Sequence, residues 1–196
     1  DGTQVWLNAR TKIEYPVSFN KEQRIVKLDG QAYFEVVHNE DKPFIVETSK
    51  GNVSVLGTKF DVMAYSGEDD FVATLMDGKV KVDLTSDPSQ SLTLSPNTRA
   101  VLRDGKLEVS GIEDYDVYRW KEGLISFNNA SFGSIMRDFE KIYGLRINID
   151  NTHVGKYSYT GKFRFVDGID YALRVLQRDI KFEYQRDPET HIINIK

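Results

Sequence analysis

The chain has 196 residues, 40% of them hydrophobic and 29% charged, with a net charge of −4. That composition suits one domain or two small ones with a buried core, and its negative balance argues against nucleic-acid binding, which depends on Lys and Arg neutralising phosphates. Cysteine is absent, which excludes disulfides, thiol nucleophiles and thiolate metal sites. No apolar run approaches the roughly 18–20 residues needed to span a bilayer. The opening Asp1-Gly2-Thr3-Gln4-Val5-Trp6 shows neither signal peptide nor initiator Met, so the chain reads as an excised or processed segment.

Residues 1–109 read as short strands, at 4–8, 12–15, 24–28, 32–37, 43–47, 52–56, 59–65, 71–76, 79–84, 91–94, 99–102 and 106–109. Asp1-Gly2, Asp29-Gly30, Ser66-Gly67, Asp77-Gly78 and Asp104-Gly105 between or beside them favour tight turns. Apolar residues alternate at Val53 and Val55, then at Phe60, Val62 and Ala64, so the phase slips by one near Gly57-Thr58. An unbroken strand cannot keep both sets on one face, so a bulge or sharp bend is expected there. The predicted fold is an all-β domain over 1–111, either a two-sheet sandwich or a short β-solenoid.

Residues 112–122 form a charged, aromatic connector, and the pattern then changes. Residues 124–127 predict a strand. Residues 131–143 predict a helix, with Phe132, Ile135, Met136 and Phe139 on one stripe and Gly144 as its stop. A strand follows at 145–149 and another at 157–163. Asp167 is placed to cap a second helix carrying Ile169, Ala172, Leu173 and Leu176. Strands at 180–184 and 191–195, joined by a turn over 185–190 containing Asp187-Pro188, complete the pattern. The two helical stripes superpose, which predicts an internal β-α-β repeat in a small α+β domain over 123–196.

Catalytic chemistry is sparse. His38, His153 and His191 lack metal-ligand spacing, and no G-x-S-x-G elbow is present. Residues 51–59 imitate a phosphate loop, but the gap between their glycines is too long and Thr58 precedes Lys59. The acidic runs at 68–70 and 113–116 lack the alternating ligands of a calcium loop, and read as solvated charge. Asn52 and Asn129 begin glycosylation-type triplets of a kind common by chance. The expectation is no enzyme, no catalytic residue, no cofactor and no metal. Aromatic side chains suit core and cross-strand packing. A carbohydrate-binding β-sandwich with a small accessory domain is the alternative, and it requires an exposed, coplanar row such as Trp6, Tyr33 and Tyr65. A hydrolase would need convergent carboxylates or His in a cleft.

Several ordered motifs, at 1–9 (DGTQVWLNA), 15–19 (YPVSF), 28–36 (LDGQAYFEV), 43–48 (PFIVET) and 55–65 (VLGTKFDVMAY), resemble FecR-family anti-sigma factors. The resemblance continues through 78–82 (GKVKV), 120–123 (WKEG) and 127–132 (FNNASF), with Gln31 where the family pattern has an acidic residue and Pro96-Asn97 where it has Pro-Gly. It implies the periplasmic region of a single-pass inner-membrane protein. A transmembrane helix and a cytoplasmic segment binding an extracytoplasmic-function sigma factor lie outside this chain in such proteins. The signal comes from the N-terminal domain of a TonB-dependent outer-membrane transducer. The C-terminal repeat resembles the secretin/TonB short N-terminal fold. The expected docking edges are 157–163 and 191–195, with Tyr157, Tyr159, Phe163, His191 and Ile193 as candidate contacts.

Overall fold

The computed structural model describes residues 1–196 except Thr152 and Pro188. The chain divides into two units, Asp1–Glu113 and Asp114–Lys196, each with its own hydrophobic core.

The first unit is built from β1 (Gln4–Leu7), β2 (Lys12–Glu14), β3 (Arg24–Glu35), β4 (Phe44–Glu47), β5 (Gly51–Val55), β6 (Lys59–Ala64), β7 (Val72–Asp77), β8 (Val80–Leu84), β9 (Ser91–Leu94), β10 (Thr98–Arg103) and β11 (Lys106–Gly111). The long strand β3 organises it. Along one edge β3 pairs antiparallel with β2 and then β1. Along the other, its first half pairs in parallel with β4 and its second half antiparallel with β6. Two sheets diverge from it, in the orders β1-β3-β6-β7-β10-β11 and β2-β3-β4-β5-β8-β9. This is an almost closed, mostly antiparallel two-sheet barrel, and it lacks the stacked parallel repeats of a solenoid. On the far side Gln90 fastens the sheets together: its side chain donates to the Gly105 carbonyl and accepts from the Leu107 N–H, at 3.0 and 3.1 Å.

Asp29-Gly30, expected to be a turn between two strands, lies inside β3. Gly30 has φ +125°, and a Cβ there would stand 2.7 Å from the Thr11 Cα. A left-handed glycine can bend a strand as well as end one, and here it turns β3 from one sheet into the other. The facing chain breaks at the same level, between β1 and β2. There Thr11 Oγ1 accepts the Gln31 N–H at 3.0 Å, so this donor is not orphaned by the break.

Gly57 is a corner, as the phase slip requires. It carries the chain from β5 in one sheet to β6 in the other, and a register shift falls between Lys59 and Phe60 on the β6–β7 ladder. A Cβ at Gly57 would come within 2.4 Å of the His38 Cα, so nothing larger fits. Core residues Phe34, Phe44 and Phe60 pack in sequence, with ring centroids 5.9 Å apart for Phe34–Phe44 and 4.9 Å for Phe34–Phe60. Burying each such ring contributes about 1.5–3 kcal/mol. Asn97 has φ 66°, so this asparagine adopts the left-handed turn conformation that the family pattern gives to glycine. Gln31 donates to the buried Asp61 carboxylate and accepts from Asn8, at 3.0 and 2.8 Å.

The second unit contains a 3-10 helix over Asp116–Glu122, within the expected connector, followed by β12 (Leu124–Ser131), α1 (Phe132–Tyr143), β13 (Arg146–Ile149), β14 (Ser158–Arg164), α2 (Ile169–Leu176), β15 (Tyr184–Asp187) and β16 (Ile192–Ile195). Ser131 caps α1 by accepting the Ser134 N–H at 3.2 Å, and Gly144 ends it at φ 65°. Helix α2 starts at Ile169 with Gly168 before it and no side-chain cap. The expected cap, Asp167, instead takes two hydrogen bonds from Arg164, at 3.0 and 2.8 Å.

The β-α-β order recurs along the chain, but β12 pairs antiparallel with β14, while β13, β16 and β15 form a separate mixed sheet. Neither helix therefore links two strands of one sheet. Residues 180–183, expected as the start of a strand, are irregular, although Ile180 and Phe182 are buried. The turn expected at Asp187-Pro188 involves Pro188, outside the described residues; Asp187 itself ends β15. One core cluster joins the inward side chains of both sheets to both helices. Phe139 is at its centre, with ring centroids 5.5 Å from Phe127 and 5.7 Å from Phe163.

Candidate interaction surfaces

Strand β14 pairs only with β12 among the described residues, so its other edge is open. The Phe165 N–H donates to the Gly123 carbonyl, and the Phe132 N–H to the Tyr157 carbonyl. By ladder alternation Phe163, Gly161 and Tyr159 face β12 with their backbone groups, leaving those of Ser158, Thr160, Lys162 and Arg164 toward the open edge. Asn128 and Asn129 bulge opposite Thr160, with Asn129 at φ 46° and its N–H on Thr160 Oγ1 at 2.8 Å.

The five candidate contacts do not form one surface. Tyr157 is 45% exposed, just before β14. Tyr159 lies over Gly161, where a Cβ would meet its ring at 2.4 Å, and stacks on the buried Phe163 with centroids 5.7 Å apart. Ile193 is fully buried. Strand β16 pairs with β13 on one side and β15 on the other, so the expected edge at 191–195 is the middle of its sheet. His191 precedes it, exposed. The sequence reading missed the exposed pair Phe165 and Val166, followed by Tyr171 on the first turn of α2. Phe165 stacks on Tyr143 at 5.4 Å with an 11° interplanar angle. An apolar pair directly before the Asp167-Gly168 break was the available signal.

Electrostatics on this unit are structural. Asp116 receives Lys162 and Arg119, and these hydrogen bonds hold its carboxyl below the usual range. Asp170 takes Arg186 and the Tyr184 hydroxyl. Burial raises Tyr143 and Tyr159 above the ordinary phenol range. Among the described residues no group of three or more His, Asp or Glu is placed to hold a metal. Trp6, Tyr33 and Tyr65 do not form the exposed, coplanar row that sugar binding requires. Tyr33 is buried and meets Trp6 nearly edge-on, at 68°, and the Tyr65 hydroxyl donates to the Ala9 carbonyl.

Two family profiles match in order: "FecR protein" over residues 1–81 and "FecR, C-terminal" over residues 124–193. The chain belongs to the FecR family. Two crystal structures of a protein from Parabacteroides distasonis ATCC 8503, assigned as an anti-sigma factor and solved at 1.65 and 2.50 Å, resemble the whole chain. Each has 29% identity and a TM-score of 0.83, with 100% of this chain covered and 91% and 90% of theirs. A comparison with curated proteins finds no match. FecR-type proteins are regulators of the anti-sigma class, so this chain serves regulation and not catalysis. Among the described residues no helix is long and apolar enough to cross a membrane.

Proposed function

We propose that this FecR-type chain is the periplasmic signal-sensing region of a membrane-anchored anti-sigma factor. It relays a signal from a TonB-dependent outer-membrane transducer to an extracytoplasmic-function sigma factor. The observation that carries this reading is the ordered match of both FecR profiles, supported by structural likeness over the whole chain to an anti-sigma factor. The sigma factor is bound by a cytoplasmic segment and the membrane by a single-pass helix, neither within these residues. The transducer's N-terminal domain docks on the second unit at the open edge of β14, with Tyr157 as the accessible anchor and Tyr159 supporting it from the core side. The two short sheets and two helices of this unit resemble the secretin/TonB short N-terminal fold, so docking joins like domains; that point rests on analogy of fold.

The test is a calorimetric titration of the 196-residue chain with the signalling domain of the transducer encoded beside it. Saturable binding weakened at least tenfold by Tyr157→Ala, with unchanged circular dichroism, supports the reading. Full affinity in the folded variant removes Tyr157 from the site, and no binding to the wild-type chain removes the transducer.

A further inference from the structure

The first unit is closed on its far side and open along β1. The Asn8 N–H donates to the Gln31 carbonyl at 2.9 Å, which sets the phase of the β1–β3 ladder. Trp6 and Gln4 then face β3, and the N–H and C=O groups of Val5 and Leu7 point away from it, toward no other strand among the described residues. The side chains of Val5 and Leu7 stand on the core face, opposite Phe34 and Ala32. Those two partners are fully buried, yet Val5 is 37% and Leu7 45% exposed. Ile13 and Tyr15 extend this core-facing row along β2 and beyond it. The row borders a groove of about 710 Å³ floored by Val26 and Phe44. Core-facing side chains are left in solvent because the sheet has no further strand on this edge.

We propose that this edge is a β-augmentation site for an extended segment of a partner protein, apolar at every second residue and acidic at one end. Outward backbone groups of Val5 and Leu7 pair with the added strand. Its alternate side chains enter the groove, completing the core face that β1 leaves open. The acidic end follows from charge complementarity. Lys42 lines the groove, and its Nζ reaches only the Phe19 carbonyl, at 3.5 Å; none of the ion pairs of the described residues includes it. Asp1, beside it, is already paired with Arg24 at 2.9 Å. The cations along the β14 edge are already partnered, Lys162 with Asp116 and Arg164 with Asp167. The β1 edge presents the apolar Val5 and Leu7.

The experiment is an NMR titration of the isotopically labelled 196-residue chain. The probe is a soluble octapeptide with valine at alternate positions, threonine between them and aspartate at one end, prepared in both orientations. Saturable shifts centred on Val5, Leu7 and Ile13, with slowed amide exchange at Val5 and Leu7, support the proposal. Val5→Pro removes an outward N–H and spares the β3 ladder, and is expected to weaken binding at least tenfold. Leu7→Lys, at an exposed position, gives the same loss if the proline variant fails to fold. Lys42→Gln lowers affinity about threefold. The proposal is overturned if neither peptide shifts these amides, or if shifts fall elsewhere. It is also overturned if the chain alone dimerises through this edge and Val5→Pro abolishes the dimer, since the occupant is then a second copy.

Discussion

The two units solve the problem of buried polarity differently. Arg24, Thr58, Asp61 and Thr74, the buried polar or charged residues among those described, all belong to the first unit, whereas the core of the second is apolar. Sheets that change partners at corners leave backbone groups where no ladder reaches them, and side chains must take their place. Arg24 does so by donating to the carbonyls of Lys42, Val37 and Leu56, at 2.8, 2.9 and 3.3 Å, besides pairing with Asp1. Burial lowers its pKa, but the guanidinium keeps its charge. Thr58 Oγ1 likewise donates to the Lys79 carbonyl at 3.1 Å. Helices satisfy their own backbones except at their ends, where Ser131 caps α1, and the rings of α1 pack against those of the strands, as Phe139 does against Phe127 and Phe163.

This contrast can be broken by substitution, because one tryptophan lies in each unit: Trp6 in the first and Trp120 in the second. The largest effect is expected from Phe139→Ala. It should cost the second unit about 3–5 kcal/mol in urea unfolding followed through Trp120 in a Trp6→Phe background. Arg24→Ala should cost the first unit about 3 kcal/mol, the low end for a broken buried pair because Asp1 is 27% exposed. Its effect is read through Trp6 in a Trp120→Phe background. Should either substitution move both transitions equally, the separation of the two cores is wrong. Gly57→Ala should cost about 2–3 kcal/mol, since the new methyl meets His38 backbone that must shift. Ser131→Ala should cost about 1 kcal/mol by removing the α1 cap.

The smallest difference is expected with pH. Asp83 in the first unit and Asp116 and Asp187 in the second all have lowered pKa values. Burial opposes the shift at Asp83, where hydrogen bonds from Ser91 and Lys81 outweigh it. At Asp116 the cause is Lys162 and then Arg119, and at Asp187 it is hydrogen bonding from the 189–190 turn. A folded pKa below the unfolded value of about 3.9 adds stability that is fully present above that value and is lost as pH falls through the folded one. Acid titration of both tryptophan variants should therefore leave these contributions intact at neutral pH and weaken both units below about pH 4.

Local signals were legible where one residue did one job. Helix α1 was readable from its stripe, its Ser131 start and its Gly144 stop, and the corner at Gly57 from the phase of alternating side chains. Gly30 was misread because the same positive φ serves a turn and a bent strand, and only the approach of Thr11 distinguishes them. Asp167 looked like a cap until Arg164 claimed its carboxylate. The central place of β16 was not readable: Ile193 and Ile195 show the inward alternation of any strand with one buried face, and pairing with β13, more than forty residues earlier, leaves no local mark. The exposed Val5 and Leu7 were read simply as strand residues. Their meaning depends on β1 having no outer neighbour, a property of topology.

The bend at Gly30 also bears on how the first unit comes apart. Because β3 belongs to both sheets, neither sheet survives its loss, and the unit has no smaller piece able to fold alone. Backbone cleavage or circular permutation inside Arg24–Glu35 should therefore abolish both sheets at once. A break in the Asp104-Gly105 turn between β10 and the edge strand β11 should be tolerated. Slowly exchanging amides in β3 should report the global unfolding free energy, making this strand the place where the unit's cooperativity is measured.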